Sequence, residues 1–199
     1  MQLLELKKIK IMLLGFVLVT LARSVLANST CDGNITRELE ACARENFYLS
    51  DKNLNAEYRA VWLKLEAKDK DNLRDTHRLW IKYKITYCQK AFDEVSPGEE
   101  AGIDRWACLD RTTDVRLREM QYIDSKIDMR SFFQALTFIA QTYEQGDIGK
   151  VVKKLKDLPS AAGDRDWTSY VEANCEMTYS LLREEKDICV ARQNFFKEW

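Results

Sequence analysis

A unit of Trp, Tyr and Cys occurs twice in this chain, in the stretches WIKYKITYC and WTSYVEANC. In each copy a Tyr follows the Trp by three residues and a Cys follows it by eight. On an α-helix, position i+8 lies about 80° from i and position i+3 about 60° from i on the other side, so the three side chains share one broad face. The repeat therefore predicts two helices that bury these residues. The six positions are Trp80, Tyr83, Cys88, Trp167, Tyr170 and Cys175.

The first 27 residues have the features of a cleaved secretory signal. Their start is basic, an apolar run extends from Ile11 to Ala22, and small residues precede the expected cleavage after Ala27. The apolar run is too short to span a bilayer comfortably, and no later run reaches about 18 apolar residues. The sequence therefore predicts a periplasmic or secreted protein without a membrane anchor after signal cleavage.

The mature chain is acidic. Removing residues 1–27 changes 31 basic and 32 acidic residues to 27 and 31, a net charge of about −4. Nucleic-acid binding usually requires a basic surface, so we expect no nucleic-acid partner. A cationic protein partner agrees with this charge.

All six cysteines follow the predicted signal, and an even number in an exported chain indicates disulfides. A zinc site is disfavoured because no two cysteines are spaced as CxxC and the chain has one His. The first four cysteines allow three pairings, of which local closure favours the sequential one. The cysteines are Cys31, Cys42, Cys88, Cys108, Cys175 and Cys189.

Apolar residues recur at helical spacing through most of the mature chain, and no long stretch alternates with period two. We predict helices at about 36–67, from 73 to 92 and from about Asp104, with a turn at 68–72. A further helix should start at Ser131 as N-cap, followed by a short basic helix near 149–158. The predicted fold is an all-α, disulfide-linked antiparallel bundle with a C-terminal helical extension that carries a degenerate second copy of the W-x7-C unit.

Three stretches resemble the N-terminal domain of the LprI family of lysozyme inhibitors. They are CDGNITRELEACARENFYLSDKNLNAEY at 31–58, LRDTHRLWIKYKITYC at 73–88 and CLDRTTDVRLREM at 108–120. The resemblance implies a small exported helical domain, for which we expect the bounds 28–127, and lysozyme inhibition as its activity. The C-terminal region, 128–199, contains the second, partial copy.

Candidate sites are few. His77, the single His, lies on the apolar stripe of its helix and is predicted to be structural, and no metal, cofactor or catalytic motif is present. The stretch DEVSPGEEAGID at 93–104 contains five carboxylates and is flanked by Cys88 and Cys108. A loop held at both ends loses less entropy on binding. Its predicted partner-binding residues are Glu94, Glu99, Glu100 and Asp104.

The sequence leaves three functions to compare. The first is an exported envelope binding protein that inhibits a lysozyme-like muramidase, because an acidic loop would attract a cationic lysozyme. The second is a periplasmic structural or adaptor module without a hydrolase target. The third, a hydrolase, lacks an identifiable nucleophile and base, and we predict that the protein is not an enzyme and needs no cofactor.

Overall fold

The computed structural model describes residues 30–33, 35–125, 130–158 and 164–198. These residues form seven α-helices and no β-strand, which confirms the all-α prediction. The predicted signal at 1–27 and the predicted boundary at 127 lie outside the described residues. The helices are α1 (Thr36–Lys64), α2 (Ala67–Val95), α3 (Ala101–Ser125), α4 (Arg130–Tyr143), α5 (Ile148–Lys156), α6 (Arg165–Leu182) and α7 (Lys186–Glu198).

Helices α1, α2 and α3 form a bundle in which α2 runs antiparallel to its two neighbours. The connection between α1 and α2 is only residues 65–66, which forces the chain to reverse. Ser50 on α1 donates a hydrogen bond to Asp110 on α3, and Lys64 pairs with Asp124. Both contacts join residues 60 apart in sequence. A constant offset means that α1 and α3 run in the same direction.

The turn predicted at 68–72 is wrong, because these residues lie in the first turns of α2. Their charges are compatible with a helix. Asp69 lies in the first turn, where a negative charge interacts favourably with the helix dipole, and Arg74 pairs with Asp71 at 2.8 Å one turn earlier. The chain instead breaks at Leu65 and Glu66, whose backbone is extended.

The six cysteines form three disulfides between sequence neighbours, the pairing that local closure favoured. Cys31 is bonded to Cys42, Cys88 to Cys108 and Cys175 to Cys189. The second bond joins the end of α2 to the start of α3, and the third joins α6 to α7. Each of these two bonds fixes the connection between consecutive helices.

Helices α4, α5 and α7 build a second small core around Phe132, which is fully buried. Helix α4 already includes Arg130, so Ser131 lies inside the helix and is not the predicted N-cap. The N-cap of α5 is Asp147, whose side chain accepts a hydrogen bond from the backbone N–H of Lys150. The apolar side chains of α5 pack in this core with residues of α7, while Lys150, Lys153 and Lys154 are exposed.

The main core contains residues of both copies of the repeated unit. Trp80 and Tyr83 on α2 lie in the same cluster as Trp167 and Tyr170 on α6. Helix α6 packs directly against α2. The second copy is therefore part of the central packing of the protein rather than a peripheral addition.

Candidate functional site

The repeated Trp and Tyr side chains pack against one another across the interface of α2 and α6. Each of the four is at most 3% exposed, which confirms the prediction that they face inward. The rings of Tyr83 and Tyr170 are nearly parallel with centroids 6.3 Å apart, and Tyr83 lies 4.7 Å from Trp167. Buried rings at this separation stabilise a helix interface. The repeated unit is therefore a packing element.

Each copy also has a cation eight residues after its second Cys, and each cation contacts the other copy. Arg116 donates hydrogen bonds from Nη1 to Tyr170 Oη at 3.1 Å and to Asn174 Oδ1 at 2.7 Å. Lys197 Nζ lies 5.8 Å from the ring centroid of Tyr83, and also 5.0 Å from that of Trp167 in its own copy. These contacts hold the two copies together at the centre of the molecule.

A buried charge network joins α3 to α7, and the sequence did not reveal it. Arg192 is fully buried and donates two hydrogen bonds of 2.8 Å to the carboxylate of Glu184 and two more to Glu119. Burial alone would lower the pKa of Arg192, but the two carboxylates raise it. Burial likewise opposes ionisation of Glu119, yet Arg192 and Asn174 lower its pKa. Arg192 therefore forms buried ion pairs with both Glu119 and Glu184.

His77 lies between two aromatic rings, with centroids 4.6 Å from Tyr58 and 5.1 Å from Trp80. Burial, together with the positive charges of Arg116 and Lys84, lowers the pKa of His77 to about 3. Its buried Nδ1 has no hydrogen-bond partner among the described residues. A neutral imidazole in this setting supports the structural interpretation.

The acidic stretch 93–104 is not one loop, which corrects the sequence prediction. Glu94 lies in the last turn of α2 and Asp104 in the first turn of α3, so only residues 96–100 connect the helices. Residues 93–95 continue α2, and residues 101–104 begin α3. The carboxylates of Glu94, Glu99, Glu100 and Asp104 are nevertheless all exposed at the end of the bundle that the Cys88–Cys108 disulfide holds.

Helix α1 adds a further carboxylate to this end. A Cβ atom built on Gly102 would lie 2.5 Å from the carboxyl carbon of Glu40. The absence of a side chain at Gly102 therefore lets Glu40 lie directly against the start of α3. We call Glu40, Glu94, Glu99, Glu100 and Asp104 the acidic end. Glu40 was not identified from the sequence, because its proximity to the other four depends on how α1 and α3 pack.

Three aromatic side chains form a partly exposed cluster beside the acidic end. The ring centroid of Phe47 is 5.6 Å from those of Tyr48 and Trp106, and Tyr48 is 57% exposed. Trp106 follows Asp104 by two residues on α3. Large aromatic side chains with a charged border are the composition typical of energetically important centres of protein interfaces.

A groove of about 430 Å³ opens next to this cluster between α1, α2 and α3. Its walls include Phe47 and Trp106, and Lys84 lies at its base with only 7% of its surface exposed. Burial lowers the pKa of Lys84, while the nearby carboxylate of Asp51 partly compensates. Lys84 follows Trp80 by four residues and therefore lies on the same face of α2, and no other feature of the sequence indicated a role for it.

Neither a metal-binding cluster nor a membrane-spanning helix occurs in the described part of the chain. No group of three or more His, Cys, Asp and Glu side chains there is arranged to hold a metal ion. None of the described helices has both the length and the apolar content needed to cross a bilayer.

The family model described as lysozyme inhibitor LprI matches residues 27–120. No curated protein and no solved structure matches the chain. The matched segment contains α1, α2 and most of α3, together with the first two disulfides. It also contains the acidic end, the aromatic cluster and the groove, whereas the second Trp-Tyr-Cys copy lies beyond it. Residues 27–120, a little less than half of the chain, are therefore similar to the LprI family.

Proposed function

We propose that this protein is exported to the periplasm or medium and inhibits a lysozyme-like muramidase by binding to it. The observation that carries the proposal is the match of residues 27–120 to the lysozyme inhibitor family. Three disulfides support it, because such bonds persist in oxidising compartments outside the cytoplasm. The protein acts as a binding partner and not as an enzyme.

The contact surface in this proposal is the acidic end together with the aromatic cluster. Exposed carboxylates attract a cationic muramidase over a distance and accelerate association. The aromatic cluster of Phe47, Tyr48 and Trp106 then supplies buried area at the centre of the interface. The Cys88–Cys108 disulfide holds this surface in place, so little conformational freedom is lost on binding.

The test is clearing of cell-wall suspensions by a cationic lysozyme with and without the protein. Replacing Glu94, Glu99 and Glu100 by Gln is expected to slow association at least several-fold without changing the fold. Raising the salt concentration from about 0.05 M to about 0.5 M should have a similar effect, because the Debye length shrinks to a few ångströms.

The matched control replaces three exposed carboxylates elsewhere by Gln, namely Glu66, Glu172 and Glu185. It changes the net charge by the same amount and should leave the association rate within about twofold, because these groups lie away from the acidic end. Equal inhibition by the two triple variants at low salt would remove the acidic end from the mechanism. Clearing by the protein alone would contradict a purely binding role.

The alternative function is an adaptor module, and one observation favours it. Helix α4 exposes Phe133, Phe138 and Tyr143, which are 46%, 65% and 72% accessible. Such residues on one short helix suit a contact with another protein that is independent of the acidic end. Failure of the unmodified protein to inhibit any muramidase tested would favour this alternative.

A further inference from the structure

Lys84 combines deep burial with unused hydrogen-bonding capacity. Its ammonium group lies 4.5 Å from the ring centroid of Trp80 and 5.1 Å from that of Phe47. The nearest carboxylate oxygen, Asp51 Oδ1, is 3.8 Å away, beyond hydrogen-bond distance. An ammonium group has three N–H donors. Lys84 thus presents a desolvated cation with available donors at the base of an open groove.

The fold does not require a cation at this position. Lys84 follows Trp80 by four residues, and the residue four after Trp167 in the second copy is Val171. Val171 is buried in the main core, 5% exposed. An apolar side chain therefore fits the same place in the repeated unit. Burying a charge there is unfavourable unless partners compensate for the lost hydration. Asp51 and the two ring faces compensate in part, and none of them accepts a conventional hydrogen bond from Lys84.

A second groove provides a comparison, because both of its lysines form ion pairs with nearby carboxylates. The groove beside α6 and α7 is lined by Lys156 and Lys186. Lys156 pairs with Asp187 at 2.8 Å, and Lys186 pairs with Glu176. Both lysines are far more exposed than Lys84, with side chains 34% and 57% accessible. Lys197 is as buried as Lys84 and lies 3.9 Å from Asp164, but the cavity beside it holds only about 20 Å³. The open groove of about 430 Å³, and not burial alone, sets Lys84 apart.

The composition of the groove suits an anion attached to a ring. Arg105 on α3 adds a second cation at the border, so Lys84 and Arg105 exceed the single negative charge of Asp51. A bound carboxylate would balance this local charge. Phe47 and Trp106 offer aromatic surfaces for an apolar ring face, and about 430 Å³ is within the range of roughly 300–1,000 Å³ typical of small-ligand sites.

We propose that this groove binds a carboxylate-bearing sugar of the cell-wall glycan. The carboxylate contacts Lys84, and the C–H face of the sugar ring packs against Phe47 or Trp106. The choice of a cell-wall sugar rests on the proposed muramidase inhibition, because that enzyme cleaves such a glycan. The anion site itself rests only on the geometry around Lys84. The lactyl carboxyl of this sugar is free only where no peptide is attached to it, so the proposed ligand is a peptide-free part of the glycan or a released sugar.

The test uses two sugars that differ mainly in a carboxylate-bearing lactyl group, N-acetylmuramic acid and N-acetylglucosamine. Each is titrated into the full exported chain while the indole N–H resonances of Trp80 and Trp106 are followed by NMR. The acidic sugar is expected to bind at least tenfold more tightly than the neutral one. Equal binding of the two sugars, or no binding of either, would overturn the proposal.

Two variants that each remove one positive charge distinguish binding at this site from a general electrostatic effect. Lys84→Met should abolish the preference for the acidic sugar and remain folded, since the equivalent position of the second copy is apolar. Lys52→Met, which removes an exposed cation beside Asp51, should retain the preference. A preference unchanged in Lys84→Met would show that the carboxylate binds elsewhere.

A third titration tests whether an acidic peptide, rather than a sugar, supplies the bound carboxylate. A short peptide rich in Glu is titrated under the same conditions, and weaker binding than that of the acidic sugar is expected. Tighter binding of the peptide would overturn the sugar assignment and make the groove a site for an acidic protein segment. Because these titrations contain no muramidase, their failure is distinguishable from a failure of the proposed inhibition.

Discussion

The two copies of the Trp-Tyr-Cys unit are buried to similar depth but are surrounded by different polar groups. Trp80 and Trp167 are each 3% exposed. The residue four after the Trp is Lys84 in the first copy and Val171 in the second, and the residue three before it is His77 in the first and Asp164 in the second. The shared residues form the interface between α2 and α6. In the first copy the differing residues, His77 and Lys84, line the groove. In the second, Asp164 caps α6 and Val171 packs in the main core.

The largest expected effect is the loss of either Trp. Trp80→Ala and Trp167→Ala should each lower the free energy of unfolding by about 3–5 kcal/mol, because each removes a large buried side chain. Trp167 also donates a hydrogen bond from Nε1 to Asn194 at 2.9 Å, so its loss should be at least as large. Denaturant unfolding measures both values. An unchanged midpoint for one variant would show that the two copies are not equivalent in packing.

The second comparison is between the buried arginines of the two copies. Arg192→Met leaves Glu119 and Glu184 buried without their cation, which should cost about 3–5 kcal/mol. Arg116→Met breaks hydrogen bonds to Tyr170 and Asn174 and removes a charge that favours ionised Glu119. Glu119 keeps its direct partners Arg192 and Asn174, so we expect a smaller loss of about 1–3 kcal/mol. Thermal unfolding of both variants tests the order. A larger loss for Arg116→Met would contradict the structural interpretation of the charge network.

The third comparison concerns the disulfides that close the two copies. Replacing Cys88 and Cys108 together by Ala, or Cys175 and Cys189 together, should cost about 3 kcal/mol in each case. The bonded residues are 20 and 14 apart in sequence, and loop-closure entropy changes slowly with length, so the two losses should differ by less than about 0.5 kcal/mol. Denaturant midpoints of the two double variants give the difference, and a difference above 2 kcal/mol would point to local strain or packing instead.

A pH dependence specific to the first copy is expected to be smaller than the loss of a Trp or of a disulfide. The pKa of His77 is about 3 in the folded protein, below its value of about 6.5 in the unfolded chain. The unfolded state therefore binds the extra proton in acid, and the stability that neutral His77 contributes above about pH 6.5 is lost as the pH falls toward 3. From about pH 7.5 to about pH 5 the loss should be about 2 kcal/mol.

His77→Gln provides the control for this pH dependence, because Gln stays neutral throughout. Stability measured by urea unfolding should then change less between the two pH values than in the unmodified protein. An identical pH dependence in both proteins would assign the effect to carboxylates rather than to His77.

Local periodicity predicted the features that depend on one helix at a time. The inward orientation of Trp80 and Trp167 followed from their spacing, and the disulfide between Cys88 and Cys108 followed from local closure. The same reasoning failed at 68–72, because a polar stretch without apolar residues was interpreted as a turn although its charges are compatible with a helix.

Contacts between distant residues could not be predicted in this way. Glu119 and Arg192 are separated by 73 residues, and Glu40 meets Gly102 only because α1 and α3 run in the same direction. A signal was nevertheless present in the groove, because Lys84 is a charged residue on an otherwise apolar stripe. The structure shows that Lys84 lies 3.8 Å from Asp51 and also faces an open groove, and neither fact depends on local sequence.

The pairing of Glu119 with Arg192 has a consequence for how the protein unfolds. The family match ends at residue 120, one residue after Glu119, whereas Arg192 lies near the end of the chain. A fragment that stops at residue 120 would keep the buried carboxylate, lose its cation and expose the ring of Tyr83. We therefore expect the two halves to lose their structure together, as one cooperative unit with a single calorimetric transition.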